Sequence, residues 1–441
     1  MPVEKTLAAA LRECGVVGAG GAGFPTQVKA EARAEFVLAN GAECEPLLHK
    51  DAELMQHSPE EIVAGMRLMM QATGAAEGRF GIKSKNKAAV TAIQPHADLA
   101  GIPMSFLGDF YPSGDEYELV YAATGRLIPA GGIPINVGCV VNNVETLYNV
   151  HFAAQGVPVT KKFVTVCGAV RKPVSFWTPI GTSFRELIAH AGGAISPDCG
   201  IFVSGLMMGT LTFDDADVVT KTTCGLILLP REHTLVRRKT TTHEARTRIG
   251  KSACDQCSYC TEFCPRYLLG YDVQPHKVMR SLGFTLTGAD NWNQWAELCC
   301  ACGLCTLYAC PEDLFPKEAC DQAKVDRRAA GHKYVQPAPV RVHPMKEYRR
   351  VPQSMLRQRL KVEEYDKPTP YTAREPEPAR VRIKLKQHAG APAQACVSIG
   401  GSVKLGDAVG RVEEKALGAT VHASINGRVA AVTPEYVEIE R

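Results

Sequence analysis

The chain has 441 residues, 45% of them hydrophobic, and a net charge of +4, enough for several cores but too little basic charge for a nucleic-acid binder. No run approaches the roughly 18 apolar residues of a membrane span, and "MPVEKTLAAALREC" has no apolar signal core, so a soluble, cytoplasmic protein is expected. In such a compartment the 17 cysteines read as metal ligands rather than disulfides.

Residues 4–14 place Leu7, Leu11 and Cys14 at helical spacing, and Gly15 ends that helix. "VVGAGGAGFPTQVKA" follows, with Gly18, Gly20 and Gly23 in the pattern G-x-G-x-x-G. A dinucleotide fingerprint of that form should follow a strand, and here a helix precedes it. The glycines still let backbone N–H groups crowd a phosphate without Cβ clashes, and Pro25 and Thr26 suit the start of a helix. Phe36 to Ala39 reads as a short buried strand, with Asn40, Glu43 and Glu45 beyond its carboxyl end, where open α/β sheets place ligands. A second acidic loop is "YPSGDEYE", Tyr111 to Glu118. "VVNNVETLYNV" begins as a strand and turns helical at about Asn143. Taken singly each acidic loop reads as a solvated turn; their order along the chain argues otherwise.

"GAGGAGFPTQVK", "NGAECEP", "YPSGDE" and "NNVETL" resemble the flavin- and NADH-binding subunit of respiratory complex I, and still more the C subunit of Rnf complexes. The resemblance implies a Rossmann-like domain holding non-covalent FMN, with NADH stacked over it. Carried over by position, it implies FMN contacts at Gly18, Gly20, Gly21, Ala22, Lys29, Asn40, Glu43, Tyr111, Gly114, Asn142 and Asn143. Phe24, Glu45, Asp115 and Glu116 would face NADH, with Glu45 and Glu116 as the catalytic carboxylates. Ala42 stands where the complex I motif has an aspartate, which leaves one FMN contact unmatched.

Within 161–230, "KFVTVCGAVRKP" alternates like a strand, and "PIGTSFRELIAHAGG" opens a helix with a Ser183–Glu186 capping box and closes on Gly192-Gly193. This resembles an SLBB domain, a β-grasp packing module.

"CDQCSYCTEFCP" then spaces Cys254, Cys257, Cys260 and Cys264 as C-x2-C-x2-C-x3-C-P, and "CCACGLCTLYACP" spaces Cys299, Cys302, Cys305 and Cys310 as C-x2-C-x2-C-x4-C-P. Two such runs match the two-cluster ferredoxin pattern, in which the fourth cysteine of each run serves the other cluster. One [4Fe–4S] cluster is therefore expected on Cys254, Cys257, Cys260 and Cys310, and another on Cys299, Cys302, Cys305 and Cys264. Cys300 competes with Cys299, but only Cys299 has the x2 spacing to Cys302. Paired CxxC units can hold zinc, yet zinc sites seldom carry a third cysteine at x2 and a following proline. Cys14, Cys44, Cys139, Cys167, Cys199, Cys224, Cys320 and Cys396 are expected as small buried hydrophobes.

Residues 336–379 are rich in proline and charge and read as an extended linker. Strand alternation resumes at "RVRIKLKQ" with glycine turns beyond, and the segment resembles the barrel-sandwich module of the Rnf C subunit, which there is N-terminal. That fold is related to lipoyl carriers, but Lys415 lacks their flanking sequence and reads as a solvated lysine.

The expectation is a multidomain α/β chain: FMN/NADH domain 1–160, SLBB domain 161–235, an α-helical two-[4Fe–4S] ferredoxin-like domain 236–335, linker 336–379 and barrel-sandwich domain 380–441. That order resembles the cobalamin reductases of propanediol-utilization microcompartments. It implies electron flow from NADH through FMN and both clusters to cobalamin, for a corrinoid adenosyltransferase, in a microcompartment with its shell proteins. No D-x-H-x-x-G cobalamin motif is present. The alternatives are an Rnf-C-like subunit serving ferredoxin or flavodoxin, and a non-enzymatic microcompartment scaffold.

Overall fold

A computed structural model describes residues 6–283 and 292–441. The first helix spans Leu7–Glu13, N-capped by Thr6, with Cys14 and then left-handed Gly15 closing it; residues 4 and 5 of the expected helix lie outside the described residues.

The first module is built on a four-stranded parallel sheet. Phe36–Gly41 is central, flanked on one side by Glu77–Lys83 and then Met104–Leu107, and on the other by Cys139–Asn143. The apolar run Phe36-Val37-Leu38-Ala39 suits a strand covered on both faces. The chain winds outward from the central strand and returns on its other side, so the strand order reverses between Phe36–Gly41 and Cys139–Asn143. Open sheets bind ligands at that crevice. Ala39 pairs with Asn142 and Asn40 with Asn143, which brings both asparagine segments to the same end. Helix Pro59–Thr73 crosses helix Val144–Ala154 at Gly65, where a Cβ would meet the Leu147 carbonyl oxygen at 1.9 Å. Only glycine permits that approach.

The second module is a mixed five-stranded sheet in the order Val174–Pro179, Lys161–Gly168, Gly225–Pro230, Cys199–Val203, Thr210–Thr212. Its helix Phe184–His190 carries the Ser183–Glu186 capping box that its sequence calls for. Helices His243–Ala253, Tyr259–Glu262, Pro265–Leu268, Pro275–Ser281 and Pro316–Ala329 frame the cysteine runs.

The expected extended linker departs from that reading. It contains strand Val351–Pro352, paired antiparallel with Phe110–Tyr111, and helix Gln353–Leu360. Val351, Leu356, Leu360 and Val362 are buried in a core shared with Leu206, Met207 and Cys302. The composition is that of a linker, but apolar residues at helical spacing give this stretch a face to bury.

The last module pairs a four-stranded and a three-stranded antiparallel sheet. Its Val381, Ile383, Val421 and Ile439 join one continuous core with Leu11, Val37 and Phe163 of the first two modules. Lys415 is exposed in a turn, as its sequence suggests. Among the described residues no helix is long and apolar enough to cross a membrane.

Candidate functional site

The glycine loop lies over the sheet crevice. Ala19 N donates to Thr146 Oγ1 at 2.9 Å, and a Cβ on Gly20 would touch the Asn143 side chain at 3.3 Å. Gly20, Gly21 and Ala22 are exposed, and Gly21 has φ +120° with open space where a Cβ would stand. The G-x-G-x-x-G does not end a sheet strand; Val17 and Pro25 form a lone antiparallel bridge around the loop. Lys29 reaches under it, its Nζ 2.6 Å from the Val141 carbonyl and 3.7 Å from Glu116 Oε1.

Beneath the loop, Glu145 accepts from Lys50 at 2.9 Å and from Lys162 at 2.5 Å, and Lys162 also donates to the Ala19 carbonyl at 2.8 Å. The two ammonium groups outweigh burial and hold the Glu145 carboxyl below its ordinary value. Asn143 caps helix Val144–Ala154 through Glu145 N and donates to Asp51 at 2.7 Å. Sequence reasoning missed this buried charge network, since Lys50 and Lys162 carry no motif.

Asn40 Nδ2 donates to the Gly114 carbonyl at 2.9 Å, joining the first and second acidic loops. Glu43 accepts from Asp51 N at 3.0 Å; burial, then the Asp51 charge, pushes its carboxyl up to about 8. Asn142 Nδ2 and Ser113 Oγ are buried without a hydrogen-bond partner. Buried polar atoms left unpaired call for a ligand or water. With the open glycine backbone and Lys29, this donor set fits a phosphate-bearing heterocycle such as FMN.

Three residues of the expected flavin and NADH set are engaged elsewhere. Both oxygens of Glu45 accept backbone N–H groups of the SLBB module, from Met207 at 3.0 Å and Met208 at 2.8 Å. Burial nonetheless raises its carboxyl. Tyr111 is buried and donates its hydroxyl to the Cys302 carbonyl at 2.7 Å. Asp115 forms a two-point ion pair with Arg266 while capping helix Glu116–Thr124. These residues tie the flavin module to its neighbours. Glu116 stays half-exposed at the mouth beside Lys29, and Phe24 is half-buried at the loop's far end.

The cysteines of the two runs lie close together, though among the described residues no group of three or more His, Cys, Asp or Glu side chains is arranged as a metal site. Cys254, Cys257, Cys260 and Cys310 line one cavity with His276, Met279, Leu314 and Pro316. Gln256 and Ser258 take left-handed φ of 62° and 64° as the loop wraps it. Cys264 packs with Cys299. The Cys302 thiol is held well above its ordinary value by its hydrogen bond with Cys300, then by burial, then by Cys264 and Cys305 nearby. Burial, then Cys299, Cys260 and Cys264, do the same to Cys305, so the two sets adjoin at Cys260 and Cys305. Cys299 and Cys300 line one further cavity together, and Cys299 is hydrogen-bonded to Cys320, which pulls its thiol down. Of the isolated cysteines, Cys14, Cys139, Cys167, Cys224 and Cys320 are buried as expected; Cys44 and Cys199 are half-buried. Cys396 is exposed, contrary to expectation, because its short edge segment leaves one side in water.

Four family models match in this order: the Nuo51 FMN-binding domain over residues 11–152, the SLBB domain over 163–210, the 4Fe-4S dicluster domain over 253–315 and the RnfC barrel sandwich hybrid domain over 365–440. The chain is 39% identical over 435 residues to cobalamin reductase PduS of Salmonella typhimurium strain LT2, covering 98% of this chain and 95% of that one. It is 38% identical over 441 residues to cobalamin reductase PduS of Citrobacter freundii, covering 99% and 97%. A crystal structure of an NAD+-reducing [NiFe]-hydrogenase in the H2-reduced state superposes with a TM-score of 0.49 at 20% identity, over 76% of this chain and 68% of that chain.

Proposed function

We propose, from the premise that this chain belongs to the cobalamin reductase PduS family, that it carries electrons from NADH through FMN and two [4Fe–4S] clusters to the cobalt of a corrinoid. It is an oxidoreductase with a flavin module and an iron–sulfur module. NADH as donor, two loaded clusters, the corrinoid acceptor, an adenosyltransferase as recipient of reduced cobalamin and residence in a microcompartment are the proposed part. When bound, FMN exchanges a hydride with NADH and passes electrons on singly, and the clusters take them one at a time.

The single observation that carries the reading is the join at Tyr111. Its strand leads into the acidic loop beside the glycine loop, and its hydroxyl holds the backbone of Cys302. Flavin side and cluster side therefore meet with no intervening module.

This chain's residues have separable parts in the scheme. The N–H groups of Gly20, Gly21 and Ala22, in the exposed part of the loop, and the Lys29 ammonium would hold phosphate. The Asn142 amide and the Ser113 hydroxyl, unpaired in the buried crevice, serve the flavin edge. Glu43 keeps its proton at neutral pH because burial disfavours its charge. Glu116 is the carboxylate open to NADH, while Glu45 seals the site by holding the Met207–Met208 backbone across it. Excluding water there protects the transferred hydride.

The test uses full-length protein purified without oxygen, given NADH and cob(II)alamin, with cob(I)alamin trapped by an adenosyltransferase. Adenosylcobalamin formation dependent on NADH is expected. Rapid reduction of ferredoxin or flavodoxin with no corrinoid turnover would transfer the reading to an Rnf-C-like carrier. A colourless protein with no NADH response would leave only a scaffold, and recovery of the chain outside purified microcompartments would remove the proposed residence.

A further inference from the structure

We propose that Arg266 sets the reduction potential of the cluster held by Cys264, Cys299, Cys302 and Cys305, and that Asp115 trims it from the flavin module; this rests on the reading above. Arg266 follows Cys264 and Pro265 directly. Its side chain is 8% exposed, and its fork meets Asp115 at 2.5 and 3.0 Å. The guanidinium lies over the Tyr117 ring, 3.7 Å from its centroid, and lines one cavity with Tyr271, Glu297, Cys299 and Cys300.

The charges facing that cavity are few. Glu297 is occupied by Arg327 and by Tyr334 N, on its far side. Asp115 is spread over three donors, since it also accepts from Tyr117 N at 3.1 Å and Glu118 N at 3.3 Å. Arg266 is a buried cation of this cavity, and a second cation, Lys324, donates to the Cys299 carbonyl at 2.9 Å. A cluster that takes one electron gains one negative charge, and no bond forms or breaks. A buried cation beside it favours the reduced form, because Coulomb interactions are weakly screened away from water, and cluster potentials follow local charge and hydrogen bonding. Arg266 makes this cluster easier to reduce than it would be without the cation, as Arg359, which donates to the Cys310 carbonyl at 3.0 Å, does for the other. Asp115 opposes the cation from a loop that also contacts the flavin crevice through Gly114 and Asn40.

The experiment is a redox titration of the full chain, reconstituted with iron, sulfide and FMN, followed by electron paramagnetic resonance. The two clusters are told apart by the signal that Cys310→Ala removes. Arg266→Met is expected to lower the midpoint of the Cys264-set cluster and leave the other in place, and Arg266→Lys to restore most of the shift. Asp115→Asn is expected to raise the same midpoint. A purely structural role for the pair would not give opposite signs. Unchanged midpoints, or equal shifts of both clusters, overturn the proposal. Should Arg266→Met fail to hold iron, Asp115→Asn, which keeps the cation, decides alone. If the functional reading itself is wrong, the unaltered protein fails first, by holding fewer than two clusters or ignoring NADH, and the proposal falls with it.

Discussion

The two cysteine sets share a spacing pattern but not a setting. The outer set, Cys254, Cys257, Cys260 and Cys310, is walled mostly by its own module, with Met279 and Leu314 packed on Cys310 and Cys254 at the edge. The inner set, Cys264, Cys299, Cys302 and Cys305, is enclosed by three others. Tyr111 and Asp115 come from the flavin module, Leu206 and Met207 from the SLBB module, and Leu356 from the segment beyond the clusters. The inner set touches the flavin module directly, although Cys299 is only half-buried, whereas the outer set lies at the rim of its own module, where a diffusing acceptor has access. The difference supports an order of flavin, inner cluster, outer cluster, acceptor.

The hardest way to break that order is Cys264→Ala. With its fourth ligand gone, the inner site is expected to lose its cluster and roughly half the bound iron, while FMN and the outer cluster stay. NADH should then bleach the flavin but leave the outer cluster oxidised in a rapid-freeze resonance experiment. Iron loss from the outer site instead would reverse the crossed ligand assignment.

Next in size is Leu356→Ala, which opens the inner wall alone. Leu356 is fully buried in the core that holds Cys302 and Tyr111. A leucine truncated in such a core costs about 2–5 kcal/mol. Chemical denaturation should register that loss, and oxygen should destroy the inner cluster faster than the outer one. Equal lability of both would mean that the wall is not specific.

That wall marks where the sequence could be read and where it could not. The two cysteine runs were legible without coordinates because their spacing is that of a two-cluster ferredoxin, and Cys310, expected from that pattern to serve the first run, lines one cavity with Cys254, Cys257 and Cys260. The crevice asparagines were legible too, because strand register puts them at one end. Residues 336–379 were not, since their proline and charge content hides one apolar helical face in eight residues, Gln353–Leu360. Nor were the destinations of Glu45, Tyr111 and Asp115. A carboxylate in a loop reads as a ligand contact whether it meets a nucleotide or another module, and only packing decides. Arg266 carried one faint signal, its place directly after Cys-Pro.

The pH response should separate the flavin side from the rest more gently. Glu43 holds its proton up to about pH 8, driven by burial and then by Asp51, against an ordinary value of 4.5. Between those values the folded chain binds more protons than the unfolded one, so its stability falls as pH rises, by at most about 1.4 kcal/mol per unit. Glu43→Gln is expected to flatten the melting temperature between pH 5 and 8. Lys221 has the opposite sign. Burial lowers its ammonium to about 7 where it joins the Gly15 and Thr420 carbonyls. The unfolded chain then binds more protons above pH 7, so stability rises with pH there, and Lys221→Met should remove that rise. A variant that leaves the pH profile unchanged would mean its group titrates normally.

The smallest effect tests the join itself. Tyr111→Phe keeps the ring in its core and removes one hydroxyl, leaving the Cys302 carbonyl, buried nearby, to find another donor. A hydrogen bond of this kind contributes about 1 kcal/mol net, so global stability should drop by little more. The informative reading is kinetic. If Tyr111 fixes the distance between flavin and inner cluster, flavin reduction by NADH keeps its rate while the following step into the cluster slows, in stopped-flow traces at the flavin and iron–sulfur bands. A lost hydroxyl that lowered stability and left both rates alone would show that the ring's packing, and not its bond to Cys302, holds the two centres together.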